Sequence, residues 1–428
     1  MTAAGLAGSR TIALEDLDFT RIVRPGDTVL WSPGVAEPVP LVERLLAQRQ
    51  VIGPFTVLFA GAGYTALARP EHADTVRFIT GGAVGSSRRL CAAGAAEVLP
   101  VHLSELSRLV RSGALPVDVV IAQLARDETG ALSHGAASSL VGAAAARARV
   151  VVAELNEQAP WTHSRYPPVR ADLVVRTSRP LIEVAARSPG PGDEAIAARV
   201  VELIGPHATV QLGIGGVPAA VARHLTSRRG LTVHSGVIGD DVVDLVESGA
   251  VTEVVTGALI GTRRLFAFAH DEPRIRVEPV SHTHEHAVLR ELPAFTAVNS
   301  AIEVDLTGQV GAEVAGRAYV GTVGGQVDFV RGALASEGGR SIIALPARTR
   351  SGRPRIVPLL ESGIVTTGRA DADVVVTEYG VAQLRGRTIP ERVRAMAAIA
   401  HPDDRDALLR AAEHVVGHVR DRPEEGPR

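Results

Sequence analysis

Arg24–Leu45 reads RPGDTVLWSPGVAEPVPLVERL, and Gly205–Leu225 reads GPHATVQLGIGGVPAAVARHL. Both open on a Pro-containing turn. A Thr-Val strand follows, then a loop of Gly and Pro, then a helical stretch ending in Leu. Such a unit is a strand handed directly to a helix, the building block of a parallel sheet covered on both faces. The copies lie about 180 residues apart, which is a domain-sized period rather than the short one of a solenoid. Between them, Arg187–Gly192 reads RSPGPG, a Pro/Gly punctuation that suits a junction. The chain therefore reads as two similarly built open α/β domains, residues 1–190 and 191–428. Working outward, Thr28–Trp31, Thr56–Ala60 and Val150–Ala153 are short apolar runs and read as buried strands. Leu41–Gln48 and Leu103–Arg111 carry apolar residues at helical spacing.

Composition narrows the function class. The chain has 428 residues, 46% of them hydrophobic, and a formal net charge of -2. That apolar content fills cores of this size, and the balanced charge excludes a general nucleic-acid binder. All of its Lys-plus-Arg residues are Arg. Cys91 is the one cysteine, so no intrachain disulfide forms. Met1–Arg10 has no apolar segment behind a basic start, and no apolar run approaches ~18 residues. The expectation is a cytoplasmic protein with no membrane partner. The charged tail Arg420–Arg428 is expected to fray.

Val210-Gln211-Leu212 ends a strand, Gly213-Ile214-Gly215-Gly216-Val217 turns, and Pro218 opens a helix. Glycines there let the backbone approach a ligand, and the helix start offers free N–H groups to an anion. A dinucleotide site fails in detail. Pro218 stands where the third glycine belongs, and Asp240 and Asp241 lie too far along for the ribose acid.

Longer blocks carry a family resemblance. These are Val210–Thr252, Asn299–Ala333 with its VGGQVDF, the pieces RIVPLL and VVVTEYGVAQLRG within Arg355–Ala400, and, earlier, Leu115–Gly135 and Val151–Pro160. Together they resemble the acetyl-CoA hydrolase / 4-hydroxybutyrate CoA-transferase family, the family I type of CoA transferase. The resemblance implies an active site in the cleft between the domains and a CoA thioester as substrate. It also implies a small-molecule acceptor, no tightly bound cofactor, no metal and a homo-oligomer, such as a homodimer. Family members use a glutamate as covalent nucleophile, forming an anhydride and then an enzyme–CoA thioester. The oxyanion donors matching the family would be the backbone of Gly213, Gly215, Gly216 and Val217, and of Gly324 and Gly325. Gln326, Arg353 and Arg355 would lie on the CoA side, with Glu378-Tyr379-Gly380 supporting it.

One position departs. Where the family has His-Thr-Glu or His-Ser-Glu, this chain has His234-Ser235-Gly236. A glycine cannot form an anhydride. Three replacements present themselves: Ser235 as nucleophile, His234 as general base, or Cys91. In a strand, neighbours point to opposite faces, so His234 would not readily activate Ser235. His282-Thr283-His284-Glu285-His286, read as a strand, puts its three imidazoles on one face. It reads as substrate-facing polarity rather than a zinc site. The functional reading is an acyl-CoA enzyme in which water, or a substrate amine or hydroxyl, attacks the thioester directly, with ring closure as one outcome. A conventional transferase or hydrolase with a displaced nucleophile is one alternative. A non-catalytic acyl-CoA binder or partner subunit is the other. On the first reading, Gly236→Glu is expected to restore transfer.

Overall fold

The computed structural model describes residues 8–415; Met1–Ala7 and the tail segment Arg420–Arg428 lie outside the described residues. Apolar runs become strands buried on both faces. Seven of the eight residues of Val119–Arg126 are buried, as is every residue of Val374–Thr377. The expected strand Thr28–Trp31 forms with those bounds, and Thr56–Ala60 appears one residue earlier as Phe55–Phe59. The helices Val39–Ala47 and Leu103–Ser112 stand where the apolar spacing placed them.

The strands form two large sheets. The first runs, edge to edge, Arg10–Ile12, Leu173–Thr177, Val150–Asn156, Val119–Arg126, Thr28–Trp31, Phe55–Phe59, Val76–Thr80, Ala96–Val98. The second runs Gly380–Gln383, Val374–Thr377, Arg340–Ala344, Thr296–Asn299, Thr209–Gln211, Leu231–Ser235, Val251–Thr256, Ile275–Val277. Pairing along both paths is parallel except at Gly380–Gln383, which folds back antiparallel on Val374–Thr377. In each sheet one central strand has three successors fanning out on one side in chain order and three later strands on the other. The central strands are Thr28–Trp31 and Thr209–Gln211, those of the two repeated sequence units. The repeat is thus the seed of the same sheet path used twice. The sheets differ at one edge, closed by Arg10–Ile12 in the first and by Gly380–Gln383 in the second.

The sheets meet through loops. Gly82 bridges Thr322, Ala137 bridges Ala258, and Ser139 bridges Pro279. The Ala83 N–H donates to the Gly321 carbonyl at 2.8 Å, and the Thr322 hydroxyl to the Gly81 carbonyl at 2.6 Å. Helix Leu103–Ser112, on the first-sheet side, starts against helix Gln326–Ala335 on the other. There the Leu103 N–H donates to the Gly324 carbonyl at 3.0 Å, and Asp328 accepts from the Ser104 N–H at 3.1 Å and its hydroxyl at 2.6 Å.

The His282–His286 segment is not the strand expected. It forms two single-turn helices, Val280–Thr283 and His286–Leu289. The Pro279 carbonyl collects the His282 N–H at 2.8 Å and the Thr283 N–H at 3.0 Å, which winds the chain there. His282 therefore packs against Tyr166 and His234, and His284 against Phe329. Among the described residues, no group of three or more His, Cys, Asp or Glu is placed to hold a metal ion. No described helix is long and apolar enough to cross a membrane.

Candidate active site

Strand Leu231–Ser235 delivers Gly236 to the sheet's carboxyl edge. Its φ is outside the left-handed region, so the backbone itself would accept a side chain. The space in front of it is the constraint. A Cβ there would stand 3.0 Å from both Cε1 and Nε2 of His284 and 3.6 Å from Cε2 of Phe329. Gly325 closes on the same ring from the other side: a Cβ on it would overlap His284 Cδ2 and Nε2 and lie 3.3 Å from Phe329. The His284 imidazole is wedged between two glycines that the sequence places far apart, Gly236 and Gly325. Glycine is required at 325 because the ring has taken the volume of its side chain.

Two contacts hold that ring, and two more hold the segment that carries it. Its Nδ1 is 2.8 Å from the Thr283 hydroxyl. It packs at a 42° tilt against the Phe329 ring, with centroids 4.6 Å apart. Phe329 follows Gly325 by one helical turn and is itself packed on Phe295. From below, the His234 Nε2–H donates to the Thr283 carbonyl at 3.0 Å, tying down the segment that carries His284. Arg108 reaches across from helix Leu103–Ser112 to pair with Glu285 at 3.0 Å. His284 is 3% exposed. Burial pushes its pKa down to about 3, with the nearby His234 adding to the effect. His234, also buried, is lowered to about 4, against the partial support of its bond to Thr283. Both imidazoles are neutral near pH 7.

The other candidates fall as follows. The Ser235 hydroxyl donates to the Leu212 carbonyl at 2.6 Å on the opposite face from His234, so it fastens the glycine loop to the strand. That loop lies beside the Gly236 turn, since a Cβ on Gly239 would meet Ile214 at 3.6 Å. Gly215 takes φ +140°, and helix Gly216–Leu225 begins at the next residue. The carboxylate of Asp193 already stands against Gly216, where a Cβ would collide with it. Val217 is buried in the second-sheet core. Gly324 takes φ +52° and gives its carbonyl to Leu103. Gln326 opens the helix with Nε2 buried and without a protein partner. Arg355 donates Nε at 2.8 Å to the Ile302 carbonyl and Nη2 to that of Ala301, so its guanidinium is committed to backbone. Arg353 is exposed and pairs with Glu361 at 2.8 Å. Cys91, half-buried on helix Ser87–Ala92, has its thiol pKa raised by burial. Glu378 and Tyr379 make the two-residue turn between Val374–Thr377 and Gly380–Gln383. Sequence reasoning missed the His284–Phe329 pair, although the spacing Gly325 to Phe329 was visible in VGGQVDF.

The profile of the acetyl-CoA hydrolase/transferase N-terminal domain matches residues 14–171, and that of the C-terminal domain matches residues 261–412. The chain is 36% identical to the 4-hydroxybutyrate coenzyme A transferase of Clostridium kluyveri, over 89% of this chain and 92% of that protein. The crystal structure of RipA from Yersinia pestis superposes with TM-score 0.88 at 27% identity, covering 97% of this chain and 99% of that one. The 4-hydroxybutyrate CoA-transferase of Porphyromonas gingivalis gives TM-score 0.80 at 31% identity, over 95% and 97%. With a duplicated parallel-sheet fold, matched profiles on both halves and relatives that span its length, this chain belongs to the acetyl-CoA hydrolase/transferase family of acyl-CoA-processing enzymes.

Proposed function

We propose that this enzyme cleaves an acyl-CoA thioester by direct attack of the acceptor, without a covalent glutamyl-CoA intermediate. The observation that carries the reading is the filling of the space before Gly236. A neutral, buried imidazole stands there, 3.0 Å from where a side chain would begin. On the proposed correspondence, Gly236 holds the place of the family's nucleophilic glutamate. Its carboxylate would have to occupy the volume that His284 takes. With no carboxylate there, the acyl carbon is left to water, an amine or a hydroxyl. If the acyl chain itself carries that group, the product is a ring. Backbone amides of the Gly324-Gly325 turn and the neighbouring Gly213–Val217 loop are our candidates for holding the developing oxyanion. The reading also takes residues 1–190 and 191–428 as the two domains, and a cytoplasmic homo-oligomer as the working form.

Intact-mass measurement of the protein incubated with acetyl-CoA or butyryl-CoA tests this. The expected result is release of free CoA with no protein species heavier by CoA. A CoA adduct that hydroxylamine removes would show a carboxylate nucleophile elsewhere and would replace this reading with conventional transfer.

A further inference from the structure

We infer that Ser104, on the first-sheet side, is a positioning residue for this reaction: it draws the Asp328 carboxylate toward itself and so leaves the Gly325 N–H free for the thioester oxygen. The inference rests on the part of the reading above that gives the Gly324-Gly325 turn the developing oxyanion, and deepens it. Its starting point is a comparison of helix starts within this one chain. Helices Pro191–Glu202 and Ile389–Ile399 each carry an acid at their third residue. In both, that carboxylate turns back on the residue before the helix. Asp193 accepts the Gly190 N–H at 2.9 Å, and Glu391 accepts the Thr388 N–H at 2.7 Å. This reach-back consumes the N–H of the capping position. Helix Gln326–Ala335 has the same ingredient, Asp328 at its third residue, after Gly325. Asp328 does not turn back. It accepts instead from the Ser104 N–H at 3.1 Å and from the Ser104 hydroxyl at 2.6 Å. The Gly325 N–H is left with no acceptor among the described residues.

The backbone differs in the same sense. Gly190 and Thr388 are extended, with ψ 174° and 162°, whereas Gly325 has ψ 3°. The Leu103 N–H holds the Gly324 carbonyl at 3.0 Å. In a trans peptide the carbonyl and the following N–H point opposite ways, so that bond turns the Gly325 N–H away from helix Leu103–Ser112. Glycine also adopts the extended form without strain. Released by Ser104, the helix start can therefore close into the arrangement that the other two helices use, and Asp328 then takes the N–H that the oxyanion needs. As the thioester carbon is attacked, its carbonyl oxygen gains negative charge. One donor preset for that oxygen is worth on the order of 10²–10³ in rate. Ser104 touches no reacting atom on this account; it keeps a competing anion off the donor.

The test compares the parent with Ser104→Asp and with the double variant Ser104→Asp/Asp328→Ala, reading kcat and KM for thiol release from acetyl-CoA and butyryl-CoA at pH 8. An acid suits the first turn of helix Leu103–Ser112, but it repels the Asp328 carboxylate back toward Gly325. The kcat of the single variant should fall by on the order of 10²-fold with KM little changed, the signature of an interaction made only in the transition state. The double variant has no carboxylate to close on Gly325 and should be faster than the single by about tenfold or more. Circular dichroism confirms that both are folded. Hydrogen exchange at the Gly325 amide reads the same event without turnover: slower in the single variant than in the parent, and fast again in the double. A single variant with the parent's kcat overturns the assignment. So does a double variant no faster than the single, because the loss would then be one of packing. If the parent releases no thiol, the exchange result decides, and equal exchange in all three proteins ends the inference. Intact mass separates the two levels: a CoA adduct on the parent removes direct attack and leaves the Ser104 comparison standing, while no adduct together with an unslowed single variant removes only the role of Ser104.

Discussion

At Gly236, Gly325 and His284 the chemistry is set by volume. Restoring a glutamate with Gly236→Glu alone is now expected to fail, contrary to what the sequence suggests in isolation. The backbone accepts the side chain, but the ring 3.0 Å away is pinned by Gly325 behind it and cannot yield. Overpacking of this kind costs about 1–3 kcal/mol. The expected outcome is a lowered Tm and no CoA adduct. The double variant Gly236→Glu with His284→Ala clears the volume and should acquire a hydroxylamine-labile CoA adduct by mass. If the single variant forms the adduct as readily as the double, the wedge is softer than its geometry implies. Gly325→Ala attacks the same ring from the other side. It should cost a similar energy and lower Tm, because His284 must move. Nothing in the residues near 236 announces any of this. A local sequence shows that a glycine is present, but the side chain that takes its place comes from 48 positions further on, brought by the fold.

The elements that frame the site were legible to different degrees. Strands stood out as apolar runs, since a parallel sheet buried on both faces leaves little room for polar residues. Leu103–Ser112 was legible as a helix, yet its cap was not. His102 provides no side-chain cap, and Asp328, from the other side of the cleft, takes that role with 2.6 and 3.1 Å bonds to Ser104. Asp328→Ala should therefore cost about 1–2 kcal/mol, as loss of a helix cap does. Hydrogen exchange should quicken in the first turn of Leu103–Ser112 as well as around Gln326. Exchange that changes only near residue 328 would show that the cap does not couple the two sides. The His282–His286 segment was misread for a related reason. Alternating His residues mimic strand periodicity, and the helical turn there arises from hydrogen bonds to one carbonyl, Pro279. The pattern of side chains carries no record of that.

Across the whole molecule, the two buried imidazoles make stability depend on acidity. His234 and His284 have folded pKa values of about 4 and about 3, against 6.5 when free. The unfolded chain thus binds protons first as pH falls. Stability is full above about pH 6.5 and declines as pH drops from 6.5 toward 4. At ~1.4 kcal/mol per pH unit, His234 alone accounts for on the order of 3 kcal/mol by pH 4. His282, Glu253 and Arg276 surround it and modulate the loss in both directions. Melting temperature measured from pH 7.5 to 4 should fall, and His284→Asn should flatten the curve. A parent curve that is level over that range would mean the rings are hydrated in solution.

The two sheets also occupy successive stretches of chain. Every strand of the first lies before residue 178, and the first strand of the second begins at Thr209. On a ribosome, the first sheet can therefore close before any strand of the second has been made, domains generally folding as units in order of synthesis. The wedged ring comes later. His284 can be wedged in place only once Gly325 and Phe329 have emerged and the 321–326 loop has bridged back onto Gly82. Assembly of the site is a late docking event between a finished half and one still forming. Until then, the glycine turns at the first sheet's carboxyl edge wait without a partner.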